Sequence, residues 1–153
     1  MGDFRISKIE NLVISELSQL VEESKTDGFR FLERLVNDYN EGTNTFSEHG
    51  ESLYGVYNEN NSLIAVGGLN NDPLSNDTQV GRLRRFYVGK EYRRKAIGTL
   101  LLRQIIYEAK NYYRVLVLNT DTKQAANFYR AYGFEESEAY PGSTHLLNLG
   151  YEK

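Results

Sequence analysis

The chain contains no cysteine, which rules out disulfides, thiolate metal sites and a cysteine nucleophile. Its two histidines, His49 and His145, are too few and too far apart for a zinc constellation, so no metal is expected. No apolar run approaches the roughly 18 residues a spanning helix needs. The opening segment MGDFRISKIE lacks the apolar core of a secretory signal, and a cytoplasmic protein without a membrane partner is the expectation. Proline occurs only twice, and no internal repeat, low-complexity tract or linker interrupts the chain.

What remains is an ordinary globular composition, 40% hydrophobic and 25% charged over 153 residues. That length suits one domain, taken here as residues 1–153, since domains most often run about 100–150 residues. The net charge of −3 is unevenly spread: the window Arg82–Lys95 carries +6 and the rest of the chain −9. A local basic patch on an acidic chain, of pI about 5.5, suits a compact anion better than a nucleic-acid backbone, which needs an extended basic surface. A nucleic-acid partner is therefore not expected.

Hydrophobic spacing gives the element order. Phe4–Ile9 alternates as a strand, and Val13, Leu17, Leu20 and Val21 mark a helix that Asn11 can cap. Phe29, Leu32, Leu35, Val36 and Tyr39 form a second helical stripe that stops near Gly42. Leu53–Tyr57 and Leu63–Leu69 read as a hairpin turning at Asn58–Asn61, with Gly67-Gly68 marking a bulge or a close backbone approach. Gln79–Val88 is a strand; regular alternation puts Arg82, Arg84, Phe86 and Val88 on one face and Leu83, Arg85 and Tyr87 on the other. An apolar helix after Gly98, a buried strand Val115–Leu118, a helix capped by Asp121 with Gln124, and a final strand near His145–Leu149 complete a mixed α/β (α+β) pattern.

The organising stretch is RLRRFYVGKEYRRKAIGTLLLRQII, from Arg82 to Ile106. A strand runs into a short basic loop, Arg93–Gly98, and then into a helix. The first amides of a helix lack intrahelical acceptors, and the helix dipole adds positive potential there, so the layout suits a phosphate or diphosphate. This loop resembles the acyl-CoA pyrophosphate loop of the GNAT superfamily of N-acetyltransferases: Arg93 takes the first position, Ala96 stands where glycine is usual, and Gly98 closes the pattern. The alanine implies a backbone that avoids positive φ. About thirty residues on, NTDTKQAANFYRAYGF is similar to the family's C-terminal signature, with Tyr129, Gly133 and Phe134 on its marks and Ala125 and Ala126 one turn earlier.

The resemblance implies a GNAT-like acyl-CoA N-acyltransferase fold, with a mixed sheet of about six to seven strands flanked by about four helices. It also implies acetyl-CoA as co-substrate. Main-chain groups of Phe86, Tyr87 and Val88 would hold the pantetheine arm. Arg93, Arg94, Lys95, Ala96, Ile97, Gly98 and Thr99 would hold the diphosphate, and Asn119 would lie beside the cofactor. Tyr129 would be the general acid for the departing thiolate. The acceptor is expected to be a small-molecule or peptide amine, met by the loop Asn40–Gly50. Glu48 and Glu51, with Asp38 and Glu41 nearby, are candidates for binding a cationic amine, and each can equally be solvated surface. The strand before the loop offers no carboxylate base; Glu48, His49, Glu51 or bulk water remain open for that role. A homodimer, common in the family, and a non-catalytic acyl-CoA sensor of the same fold are the further possibilities.

Overall fold

The computed structural model describes residues 3–150. In chain order the elements are β1 (Arg5–Lys8), α1 (Ile14–Thr26), α2 (Phe31–Glu41), β2 (Ser52–Tyr57), β3 (Leu63–Asn71), β4 (Val80–Val88), α3 (Ile97–Ala109), β5 (Val115–Leu118), α4 (Lys123–Tyr132), β6 (Glu135–Glu136) and β7 (His145–Asn148), with one 3-10 turn at Lys90–Tyr92. The strands form one seven-stranded sheet in the order β1-β2-β3-β4-β5-β7-β6. Only β4 and β5 run parallel, and α3 is the crossover between them. The mixed α/β fold expected from the element order is the one observed.

Each face of the sheet carries its own core. On one side Ile97, Leu101, Leu102 and Ile105 of α3 pack on Ile64, Leu69, Leu83 and Leu116, joined by Tyr129 and Phe134. On the other, Leu17 and Leu20 of α1 and Leu32 and Leu35 of α2 pack on Leu53, Val66 and Tyr87. The continuous apolar sequence of β2, β3 and β5 follows from being covered on both sides.

Three local expectations are corrected. The helix α1 begins at Ile14, with Val13 extended and no side-chain cap. Asn11 is too early, because the Leu12 amide donates to the Tyr39 hydroxyl at 3.0 Å and keeps the chain extended up to the helix. Thr122, not Asp121, caps α4: its hydroxyl accepts from the Ala125 amide at 3.2 Å, which leaves Gln124 one position short of a capping box. Gly42 does end α2, in the left-handed conformation at φ +79°.

The third correction concerns β4. Val66 pairs with Tyr87 and Gly68 with Arg84, so the single residue Gly67 faces two residues, Arg85 and Phe86. This is a β-bulge, with Arg85 at φ +59°. It shifts the alternation, so Phe86 and Val88 join Leu83 on the α3 side while Tyr87 lies under α1 and α2. Glycine at position 67 gives these side chains room: a Cβ there would stand 2.9 Å from Phe86 Cδ2 and from Ile105 Cδ1, and both would have to shift. A Cβ on Gly68 would meet the Phe46 ring on the opposite face.

Candidate functional site

The site begins where two strands part. β4 and β5 are in register at Val80–Val115, Gly81–Leu116 and Arg82–Val117. β5 ends at Leu118, one residue after that last pair, whereas β4 continues to Val88. The main chain from Leu83 to Val88 therefore has no paired strand on its β5 side. A bulge bends its strand and increases the local twist, and the bulge at Arg85 lies within this unpaired length. The result is a wedge lined on one edge by the main chain of Phe86, Tyr87 and Val88.

The basic loop stands at the outer end of that wedge. Among the described residues, the amides from Arg94 to Thr99 have no hydrogen-bond acceptor; the first bonded amide is that of Leu100, to the Ala96 carbonyl at 3.0 Å. Arg94 and Ala96 both adopt positive φ, +66° and +64°. Here the sequence expectation fails: Ala96 takes the left-handed conformation that glycine would supply. Alternating backbone handedness turns successive amides toward one concavity, an anion-binding nest. Six unpaired amides, the N-terminus of a 13-residue helix and the exposed side chains of Arg94 and Lys95 together fit a diphosphate. A Cβ on Gly98 would stand in ordinary van der Waals contact, 3.4 Å from Phe128 and 3.6 Å from Val88, so the packing where α3, α4 and β4 meet does not itself demand glycine.

The loop is held from behind by two carboxylates of the first helix. Glu23 accepts from the Tyr87 hydroxyl at 2.9 Å and from the Lys90 amide at 2.7 Å. Asp27 accepts from Tyr87 at 3.0 Å, pairs with Lys90 at 2.8 Å and with Arg93 at 3.3 Å. The hydrogen bond from Lys90, with those from Tyr87 and Arg93, holds the Asp27 carboxyl below the usual range. Arg93 also donates to the Val88 carbonyl at 2.8 Å and lies over the Tyr87 ring. Its side chain thus braces the loop, while Lys95 rests over Tyr92 at 5.8 Å. Sequence reasoning missed Glu23 and Asp27 because they lie sixty or more residues from their partners and carry no local signature.

Tyr129 projects from α4 into an aromatic box. Its ring is edge-on to Phe86 at 6.0 Å, Phe128 at 5.1 Å and Phe134 at 5.5 Å. The residue is 7% exposed, and its hydroxyl makes no hydrogen bond among the described residues. Burial alone raises its pKa above the ordinary value, so the phenol is protonated at every physiological pH. Because Phe86 lies on the unpaired length of β4, the box brings Tyr129 to the wedge. Asn119 follows directly on β5 at the other edge and is exposed.

The opposite face carries the acceptor-side candidates. Glu51 accepts from the amides of Glu48 at 3.2 Å and Asn71 at 3.0 Å, so its carboxylate ties the loop before β2 to the end of β3. Glu48 is exposed. Asp38 pairs with Arg85 at 3.4 Å. His49 lies edge-on to the Tyr112 ring at 5.1 Å. Arg82 is buried with Asp72, Nε to Oδ1 at 2.8 Å, and donates at 3.0 Å each to the Gly142 and Pro141 carbonyls. His145, expected as an ordinary strand residue, is buried on β7 with Nδ1 at 2.8 Å from the Thr144 hydroxyl. Among the described residues no group of acidic or histidine side chains is placed to hold a metal, and no helix is long and apolar enough to cross a membrane.

The fold that positions these groups is shared with known proteins. The model of the Acetyltransferase (GNAT) family matches residues 14–134. A candidate acetyltransferase from Exiguobacterium sp. 255-15 is 31% identical, with 95% of this chain and 93% of that one aligned at a TM-score of 0.85. A GNAT-family acetyltransferase from Staphylococcus aureus Mu50 shares the fold at 22% identity and a TM-score of 0.71, over 97% and 100% of the two chains. The chain belongs to the acetyltransferase (GNAT) family.

Proposed function

We propose that the protein is an N-acetyltransferase that moves the acetyl group of acetyl-CoA directly to a primary amine of a small molecule or peptide. The observation that carries this reading is the row of unpaired amides from Arg94 to Thr99 at the end of the free edge of β4. Those amides, with Arg94 and Lys95, would bind the diphosphate. The main chain of Phe86, Tyr87 and Val88 would align the pantetheine arm, with Ala96, Ile97, Gly98, Thr99 and Asn119 completing the contact. Arg93 would act by bracing the loop.

Acetyl-CoA supplies a thioester carbon open to attack. As the amine nitrogen forms its C–N bond and the C–S bond breaks, the nitrogen loses a proton and the sulfur gains one. Tyr129 is the donor we assign: a protonated phenol with no competing hydrogen bond, held by three aromatic rings at the wedge. On this reading residues 1–153 act as one cytoplasmic domain without a metal, nucleic-acid or membrane partner.

The test is calorimetric titration with CoA and with pantetheine, followed by thiol release over a panel of amines. The amide row predicts that removing the nucleotide and diphosphate costs at least tenfold in affinity. Equal binding of the two, or none of CoA, would refute the site. Tight CoA binding without thiol release from any amine would favour an acyl-CoA sensor over a catalyst.

A further inference from the structure

Beyond the amide row, one charged group near the wedge lacks a counterion. Arg84 lies two residues past the last β4–β5 pair. Its registered partner is Gly68, whose missing Cβ would point at Phe46, so Arg84 shares the face of Phe46, α1 and α2. The residue is half-buried. Among the described residues it forms no ion pair, although Asp38, Asp72 and Glu51 are near enough to influence it.

Those carboxylates are already engaged. Asp72 holds Arg82, Asp38 holds Arg85, and Glu51 holds two backbone amides. Arg85 adds a second unmet donor: its side chain is 9% exposed, and its Nε is buried without an acceptor. Burial and the neighbouring Arg84 bring the Arg85 pKa down to about 10. Burial first, then Arg82, acts in the same direction on Arg84. Arg84 thus has no carboxylate partner among the described residues, and Arg85, although paired with Asp38, keeps one buried N–H without an acceptor.

The surroundings are built on this face. Asn44 and Asn70 exchange side-chain amide hydrogen bonds of 3.0 Å in both directions. The Arg82 guanidinium draws the Pro141 and Gly142 carbonyls in from the segment between β6 and β7. Arg84 thus sits on strand β4 between the loop before β2 and the loop before β7, on the side away from α3.

Resting on the transferase reading above, we infer that the acceptor amine carries a carboxylate and that Arg84 binds it, making amino acids and related amine carboxylates the substrate class. This departs from the cationic acceptor that the acidic loop suggested: of the carboxylates expected to receive it, Asp38 and Glu51 are engaged within the protein, and Glu41 and Glu48 are exposed. A guanidinium presents two parallel donors to a carboxylate, which fixes direction as well as distance.

The experiment compares matched amines that differ only by a carboxylate: lysine with cadaverine, phenylalanine with phenylethylamine, tyrosine with tyramine. Thiol release is followed with wild-type protein, Arg84→Ala and Arg84→Lys, each checked by thermal melting. Wild type is expected to favour the carboxylate member of at least one pair by about 10- to 100-fold in kcat/KM, the size of a charge-assisted hydrogen bond. Arg84→Ala should erase that ratio, chiefly through KM, and Arg84→Lys should restore part of it. Equal use of both members of every pair, or a preference that survives Arg84→Ala, overturns the inference and leaves the transferase standing. If no amine releases thiol, titration of the amino acids into the CoA-bound protein decides: binding lost in Arg84→Ala upholds the carboxylate site, and no binding to wild type refutes it.

Discussion

Replacing Tyr129 by phenylalanine separates a proton donor from a packing residue, because the structure divides the two roles between different atoms. The ring makes the contacts, edge-on to Phe86, Phe128 and Phe134, and phenylalanine keeps all three. The hydroxyl gives up no hydrogen bond when removed. A hydroxyl left without a partner in apolar surroundings costs about 1–3 kcal/mol by mutational measures. With the group at the edge of the wedge rather than deep in the core, a gain of about 0–1 kcal/mol is expected, or a Tm raised by about 0–4 °C. Loss of a general acid should instead reduce kcat by about 10²–10⁴, with CoA affinity unchanged. Because burial raises the Tyr129 pKa, the wild-type rate should show no falling alkaline limb below about pH 10, the ordinary tyrosine value; the rising limb belongs to deprotonation of the amine. Thermal melting, CoA titration and a pH series of thiol release measure the three quantities. A variant within threefold of wild-type kcat refutes the proton-donor role. A fall in kcat accompanied by a loss of several degrees in Tm assigns the effect to packing.

Three further outcomes follow from the geometry. Arg82→Ala strands the Asp72 carboxylate, whose side chain is 0% exposed; breaking such a pair costs about 3–5 kcal/mol, which lowers Tm by roughly 6–20 °C. Replacing both Arg82 and Asp72 by leucine should recover most of that loss, since the charges themselves add little net stability. Ala96→Gly relieves a left-handed residue that costs about 1–2 kcal/mol against about 0.5–1 kcal/mol of added chain entropy, so differential scanning should record a small rise in Tm. Asp27→Asn should lower Tm at neutral pH. The wild-type carboxyl titrates below its unfolded value, so its stabilisation is present above about pH 4, the unfolded pKa, and fades as pH falls through the folded one. Melts of the two proteins should therefore converge as pH falls through the folded-state pKa.

The legible part of this molecule was the part with a local period. The stripes of α2 and α3, the asparagine turn between β2 and β3 and the apolar run of β5 each repeat on a spacing that the sequence displays. The loop from Arg93 to Gly98 and the helix bearing Tyr129 were recognisable by pattern, and the family match spans both. Helix starts were less legible, since Leu12 is committed by a hydrogen bond to Tyr39, twenty-seven residues away. The grip of Glu23 and Asp27 on Lys90 and Arg93 has no trace in spacing, because it joins α1 to the end of β4 through space. The conformation of Ala96 was misread for a related reason: residue preference argues against positive φ, and the surrounding tertiary contacts override it.

Arg85 makes β4 one residue longer than its partner. Deleting that single residue would bring Phe86 opposite Gly67, leave Leu83, Arg84, Tyr87 and Val88 on their present faces, and remove a left-handed backbone position. The repaired strand would be straighter, free to run on beside β5, and the wedge would narrow. Sequence length, more than side-chain identity, is therefore what this segment must conserve: substitutions at Arg85 alter the lining, whereas loss of one codon trades the opening for a more regular sheet.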